Sequence, residues 1–179
     1  MDEWVLERIE GWDSDAFEGG IEGLTGLAEQ GFSGAIVSNG LRVLLVNGKA
    51  VLVDGGSITE ANGDGRVYRA PDPAVPLLFA MTESSEQIDR GFTDDESFDS
   101  VHETMAARGF SGYLRLSEYV LSGDYYVVYY GEEALPVAFV GSSNRLRTGD
   151  EALSLAAEEV GIYEVHRASV SVESIPESA

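Results

Sequence analysis

The sequence predicts an α+β fold made of two similar units, each a helix followed by an antiparallel hairpin, packed into one domain. Three observations lead to this fold class. The tetrapeptide GFSG occurs at 31–34 and again at 109–112. Each copy follows a segment whose apolar residues have helical spacing, and each precedes short apolar runs that are typical of strands. The same order of elements in both halves indicates an internal repeat.

The first unit is predicted to span 1–82. Its opening segment, 1–12, fits either a short helix or a strand. Apolar residues at helical spacing predict a helix over 13–30, with Asp13 or Ser14 as its N-cap. Several glycines weaken this helix, because each costs up to about 1 kcal/mol relative to alanine.

The hairpin of the first unit has the clearest local signal in the chain. Two apolar runs, VLLV and AVLV, flank Asn47 and Gly48, a dipeptide that favours the type I′ turn of a tight hairpin. The segment GRVYRA predicts another strand. The proline-rich stretch PDPAVPLL that follows is expected to be extended or looped.

The second unit is predicted to span 97–174, after an acidic linker at 83–96 and before a tail at 175–179. A helix ends at Arg108, and strands follow it. The segment GDEALSLAAEEVG predicts a second helix, and the alternation in IYEVHRASVSVESI predicts a closing strand.

GFSG is interpreted as a structural motif. Each first glycine is expected to end a helix in left-handed geometry, and each phenylalanine to enter the core. Each second glycine would permit a bulge or a close backbone approach in the first strand. A phosphate-binding loop would need a helix after the glycines, and strands follow here. The residues concerned are Gly31, Phe32 and Gly34 in the first unit and Gly109, Phe110 and Gly112 in the second.

Charge is the unusual bulk property. Asp and Glu number 32 against 11 Lys and Arg, which gives a net charge of −21, and Lys49 is the only lysine. One interpretation is an acidic surface for a partner or a cation. The other is adaptation to molar salt, where the Debye length falls to about 3 Å and screens self-repulsion. The even spread of the acids along the chain favours this halophilic interpretation.

The composition and the sequence patterns lead us to expect that the chain does not belong to several classes of protein. Cations are not clustered, so the chain alone should not bind nucleic acid. Cysteine is absent, so there is no thiolate nucleophile and no disulfide. The N-terminal segment lacks the basic and apolar regions of a signal peptide, and apolar runs are too short to span a membrane. We therefore expect a soluble, cytoplasmic protein without a membrane partner.

His102 and His166 are the two histidines. No HExxH spacing supports a metal site and no serine stands in a GxSxG elbow, so we predict no catalytic residue, no metal ligand and no cofactor. An alternative stays open, in which a small hydrolase or transferase uses His102 or His166 with nearby carboxylates.

The segment DYYVVYYG is the candidate partner surface. Alternation along a strand places Tyr125 and Tyr129 on one face, and Tyr126 and Tyr130 on the other. One hypothesis is a central strand that is covered on both faces. The other is an aromatic surface for a partner or ligand, because tyrosine is enriched in such contacts.

The pattern of FSG, strand and hairpin ending in NGKAVLV resembles the PATAN-type module of bacterial and archaeal signalling proteins. Over nearly the whole chain, the stretches APDPAVPLLFAM, LSGDYYVVYYG, AFVGSSNRLRTGDEA and EVGIYEV resemble a haloarchaeal family of unknown function. Some members of that family carry the label of transcriptional regulator. The resemblance implies a halophilic source and no particular reaction. It also implies that the chain is one domain of a longer protein, because members have longer C-terminal regions.

The sequence thus predicts a non-enzymatic binding or interaction module with a regulatory role. It would engage a protein partner or itself, and the sequence identifies no small-molecule ligand. A self-assembling structural module is the remaining alternative, and it would need open sheet edges or a self-complementary face.

Overall fold

The computed structural model describes residues 3–17, 20–38, 40–58, 65–117, 123–140 and 145–174. The chain divides into two units, Met1–Glu83 with Val170–Ala179, and Ser84–Ser169. In chain order, the elements are α1 (Glu3–Glu10), β1 (Asp13–Phe17), α2 (Gly20–Glu29), β2 (Gly34–Ser38), β3 (Leu41–Val46), β4 (Lys49–Asp54), β5 (Gly65–Arg69), α3 (Ala74–Thr82), β6 (Glu86–Phe92), α4 (Phe98–Ala107), β7 (Gly112–Ser117), β8 (Gly123–Tyr130), β9 (Glu133–Val140), β10 (Arg145–Thr148), α5 (Gly149–Ala157), β11 (Ile162–Arg167) and β12 (Glu173–Ser174).

The first unit contains a six-stranded sheet in the order β1-β5-β2-β3-β4-β12, with every neighbouring pair antiparallel. The predicted hairpin is confirmed: Asn47 and Gly48 join β3 to β4 with φ angles of 50° and 82°. One face of the sheet carries a core to which α2 contributes Leu24 and the GFSG loop contributes Phe32. The helix α2 therefore packs on this sheet through apolar residues at helical spacing.

The second unit contains a six-stranded antiparallel sheet in the order β10-β9-β8-β7-β11-β6. Ser97 caps α4, because its hydroxyl oxygen accepts the Ser100 N–H at 3.2 Å. Apolar residues of α4 and α5 cover one face of the sheet and form the core of this unit. Mixed helices and antiparallel sheets confirm the α+β class.

The two sheets have the same order of elements. Reading inward from one edge, β1, β5, β2, β3 and β4 occupy the positions that β6, β11, β7, β8 and β9 occupy in the second sheet. The strands at the opposite edges, β12 and β10, come from different parts of the chain. This order is compatible with the internal repeat that the sequence predicts.

Both GFSG loops have the same backbone geometry. Gly31 and Gly109 have φ angles of +66° and +63°, the left-handed geometry of a glycine that ends a helix. A Cβ atom at Gly34 would lie 2.0 Å from the carbonyl oxygen of Tyr68, and one at Gly112 would lie 2.0 Å from that of His166. The strand register continues through both positions without a shift, so the second glycine permits a close backbone approach rather than a bulge. The phenylalanines differ, since Phe32 is buried and Phe110 is half-buried.

The predicted helix over 13–30 needs correction. Asp13–Phe17 forms β1, which pairs with β5, and α2 begins only at Gly20. Strand pairing and the burial of Phe17 outweigh the helical spacing of the apolar residues here. The opening segment, which fits either a helix or a strand by its sequence, contains the helix α1.

The stretch PDPAVPLL forms a loop at its first three residues and is helical from Ala74 onward. It leads into α3, which begins at Ala74 and is apolar on all sides, with Ala74–Met81 buried. Pro76 is tolerated because it stands in the first turn, where a backbone N–H has no partner within the helix.

The predicted boundaries of the units also need correction. The segment 83–96 is not a linker throughout, because β6 lies within it and pairs with β11. The segment after Ser169 returns to the first unit, because β12 pairs with β4. Within the described ranges, no helix is both long enough and apolar enough to cross a membrane.

Candidate functional site

The tyrosine-rich strand β8 does not form a partner surface. Tyr125, Tyr126 and Tyr129 are all buried, and Tyr130 is half-buried. The strand β8 is an interior strand with β7 and β9 as neighbours, and helices cover the face that bears Tyr125 and Tyr129. Tyr126, on the opposite face, is buried as well. The covered-strand hypothesis therefore describes β8 better than the aromatic-surface hypothesis.

His102 lies on α4 and binds one of these tyrosines. Its Nδ1 atom is 2.7 Å from the Tyr129 hydroxyl. Burial lowers the pKa of His102 against the opposing effect of Asp99 and Glu103, and burial raises the pKa of Tyr129. A neutral imidazole that accepts the phenol O–H fits both shifts. The pair joins α4 to β8.

His166 belongs to a chain of polar contacts on β11 and β7. Its Nε2 atom lies 2.8 Å from Glu164 Oε1, and Arg115 Nη1 lies 3.8 Å from the same oxygen. The imidazole stacks on Tyr113 with a centroid distance of 4.7 Å, and the Tyr113 hydroxyl contacts Ser85 Oγ at 3.1 Å. A carboxylate on an imidazole is the orienting half of a catalytic triad. In the part of the chain that the structure describes, no serine or threonine hydroxyl contacts this imidazole to complete it.

An open pocket of about 400 Å³, with mostly exposed lining residues, lies in the second unit beside the GFSG loop and the adjoining ends of β6 and β11. Its lining includes Glu86, Phe110 and Arg167, together with the hydroxyls of Ser84 and Ser111. Ser111 donates to the carbonyl oxygen of Ala168 at 2.9 Å, so this side of the pocket is held by a hydrogen bond. We call this site the second-unit pocket.

The first unit has a pocket of about 390 Å³ at the equivalent strand ends, the first-unit pocket, lined by Trp12, Asp13, Arg69 and Pro71. Arg69 is the last residue of β5, as Arg167 is of β11. The two pockets therefore occur at the same position in two sheets of the same strand order. The lining residues that the two pockets share by type are the arginine, the alanine that follows it (Ala70 or Ala168) and an acidic side chain.

An arginine and an acid face each other at each pocket. Arg69 is the register partner of Asp13, and Arg167 is the register partner of Glu86. On its other side each arginine has the second glycine of GFSG as its partner, so that strand contributes no side chain there. Opposite charges at facing positions of an antiparallel pair usually attract each other.

These facing charges nevertheless form no ion pair with each other. Among the described residues, neither Arg167 nor Glu86 has a salt bridge, and the Arg69 guanidinium lies 5.3 Å over the Phe32 ring instead. All four charged side chains are exposed. Each pocket thus presents a guanidinium and a carboxylate that are both open to a ligand.

Sequence reasoning missed both pockets. The sequence predicts Asp13 as a candidate N-cap of a helix and Glu86 as part of a linker, and neither prediction makes it face an arginine. Only the register of β1 with β5 and of β6 with β11 brings these residues together. The repeat was the one signal available, because it predicts that whatever one unit forms beside GFSG recurs in the other.

The described residues contain no group of three or more His, Asp or Glu side chains that could hold a metal ion. Comparison with protein-family models, curated proteins and solved structures finds no match.

Proposed function

We propose that this chain is a non-enzymatic binding module with a regulatory role in a haloarchaeal protein, and that it binds through the first-unit and second-unit pockets. The observation that carries the proposal is the recurrence of a pocket at one position in both sheets, each with an arginine and an acid that form no ion pair with each other. The regulatory and haloarchaeal parts of the proposal rest on the resemblance described above.

The size and chemistry of the pockets support binding. Volumes near 400 Å³ fall within the range of about 300–1,000 Å³ that is usual for small-molecule sites. Tryptophan and arginine, here Trp12 with Arg69 and Arg167, are among the residue types that dominate binding energy in interfaces. Phenylalanine, here Phe110, is enriched in interfaces. The same pockets would also accept side chains of a protein partner, so a protein partner or self-association stays a proposal.

A flat apolar surface receives less support. Large apolar side chains that are exposed within the described segments are Ile88, Val160 and Val172, which stand on three separate parts of the chain. Single exposed apolar residues of this kind are normal on protein surfaces.

Self-assembly through sheet edges also receives less support. The edge strand β6 bears a bulge opposite Val165 and His166, and charged residues occupy much of it. The edge strand β1 carries two aspartates, and β12 has only two residues. Bulges, charges and short strands are the devices that discourage edge-to-edge pairing.

The enzyme alternative has one observation in its favour, the contact of His166 with Glu164. The imidazole is also stacked on Tyr113, and the second-unit pocket is lined by its neighbour Arg167 rather than by His166. His102 contacts Tyr129 in the interior of its unit. Structural roles account for both histidines, so we propose no catalytic role for either.

The test uses ¹⁵N-labelled protein and a haloarchaeal extract that is separated into small-molecule and macromolecular fractions. We expect one fraction to shift the backbone amide signals of pocket residues such as Ala70 and Ala168, and the Arg69→Gln or Arg167→Gln variant to lose the shift in its own pocket. Arg108→Gln is the matched control, because Arg108 is exposed on the same unit as Arg167 and lines neither pocket. Shifts that survive the pocket variants, or no shift with either fraction, would contradict the proposal.

A further inference from the structure

We propose that each pocket binds a small zwitterion, a molecule such as a free α-amino acid that carries a carboxylate and an ammonium group close together. This inference rests on the proposed function, since it names the ligand class of the same pockets. It gives the chain two sites, one per unit.

The arginine of each pocket selects a carboxylate. A guanidinium presents several N–H donors in a planar fork that matches the two oxygens of a carboxylate. Arg167 is free to turn this fork toward a ligand, because it has no ion pair among the described residues. In the first unit, the Phe32 ring holds the Arg69 guanidinium through a cation–π contact and so orients it in advance.

The acid of each pocket selects an ammonium group. When ionised, Glu86 and Asp13 can only accept hydrogen bonds, and each faces its arginine across a strand pair. Facing residues of an antiparallel pair have Cβ atoms about 4.5–5.5 Å apart. A ligand whose two charges are adjacent can therefore reach both side chains, whereas a simple anion would satisfy the arginine and be repelled by the acid.

The remaining lining sets the size of the ligand and accepts its apolar part. Phe110 is half-buried at the second-unit pocket, and Trp12 is half-buried at the first, so each pocket offers one aromatic ring to an aliphatic or aromatic side chain. Trp12 is itself supported from behind, since it stacks on Phe79 with a ring distance of 5.9 Å. Such support keeps the ring in place for binding.

The experiment titrates ¹⁵N-labelled full chain with free α-amino acids, and with the N-acetyl and carboxamide derivatives of each. Salt is kept at the lowest concentration that preserves the fold, because molar salt screens both charged contacts. We expect at least one amino acid to bind with a dissociation constant of about 0.1–1 mM, as a ligand with few atoms should. Both blocked derivatives should bind roughly tenfold more weakly or not at all.

Variants test which side chain contacts the carboxylate of the ligand and which contacts its ammonium group. Arg167→Gln should abolish discrimination against the carboxamide derivative in the second-unit pocket, and Glu86→Gln should abolish discrimination against the N-acetyl derivative. Glu158→Gln serves as the control for the loss of one exposed carboxylate in the same unit. The first-unit pocket should keep its affinity in all three variants and so acts as an internal reference.

The outcomes separate the two proposals. If blocked derivatives bind as well as the free amino acids, or if no amino acid binds while an extract fraction still shifts the pocket amides, the zwitterion inference is overturned and the binding module stands. If neither amino acids nor extract fractions shift the pocket amides, both proposals fail.

Discussion

The two glycines of each GFSG motif are needed for different reasons, and alanine substitutions can distinguish these reasons. Gly109 has a left-handed backbone, and a Cβ atom there would meet nothing within 4 Å. Gly112 also has a positive φ, of +146°, but its Cβ would lie 2.0 Å from the carbonyl oxygen of His166. One substitution therefore strains only the backbone angle, and the other forces two paired strands apart.

The magnitudes follow from these geometries. An L-residue in the left-handed region costs about 1–2 kcal/mol, so Gly109→Ala should lower the free energy of unfolding by that amount. Ordinary C···O contacts are about 3.3–3.6 Å, so Gly112→Ala requires a displacement of more than 1 Å between β7 and β11. Overpacking of roughly 1–3 kcal/mol, together with weakened ladder hydrogen bonds of about 1 kcal/mol each, gives a loss of about 3–5 kcal/mol.

The assay is urea unfolding at constant salt, followed by circular dichroism, for the wild type and both alanine variants. Gly31→Ala and Gly34→Ala repeat the comparison in the first unit, where the Cβ of the second glycine would lie 2.0 Å from the carbonyl oxygen of Tyr68. Both tryptophans belong to the first unit, so fluorescence reports this second pair of variants. If Gly112→Ala cost no more than Gly109→Ala, the reasoning from the close strand approach would be refuted.

Three other measurements address the interior and the charge of the protein. Tyr125→Ala should lower the free energy of unfolding by about 3–5 kcal/mol because its ring is buried, and Tyr130→Ala should cost clearly less; equal losses in urea unfolding would contradict the burial of β8. Burial lowers the pKa of His102 in the folded protein below its ordinary value of 6.5. As the pH falls, the unfolded chain therefore binds the proton before the folded chain does. The contribution of neutral His102 to stability is thus present above pH 6.5 and is lost as the pH falls through the folded pKa. Unfolding at several pH values should show this loss in the wild type and a flatter profile in His102→Gln, and identical profiles would argue against it. Raising KCl from about 0.1 to 2 M should raise the melting temperature of a chain of charge −21, because the Debye length shrinks from about 10 Å to below 3 Å, and a salt-independent melt would count against the halophilic interpretation.

The sequence predicts best those features that a few adjacent residues determine. The turn at Asn47-Gly48 and the left-handed glycines of GFSG depend on local backbone preference, which is visible in the residue types. The helix α3 was missed because Pro76 suggests a break, although its place in the first turn makes it harmless.

Strands β1 and β6 were missed for a different reason. Neither has a strong strand pattern of its own, and each becomes a strand by pairing with an arginine-bearing neighbour that lies far along the chain. The pockets depend on the same pairings, so they could not be predicted before the register was known. For the tyrosines of β8, the local pattern correctly predicts which residues share a face of the strand. It does not predict that these faces are buried, because burial depends on the elements that pack against them.

The pairing of β12 with β4 makes the second unit an insertion in the first. During synthesis the sheet of the first unit must therefore wait for its sixth strand until the whole of Ser84–Ser169 has been translated. At about 5–20 residues per second, this delay is roughly 5–20 s. During that time the edge of β4 that later pairs with β12 is exposed on the nascent chain. The rate of translation therefore sets how long chaperones can bind this edge or another strand can mispair with it.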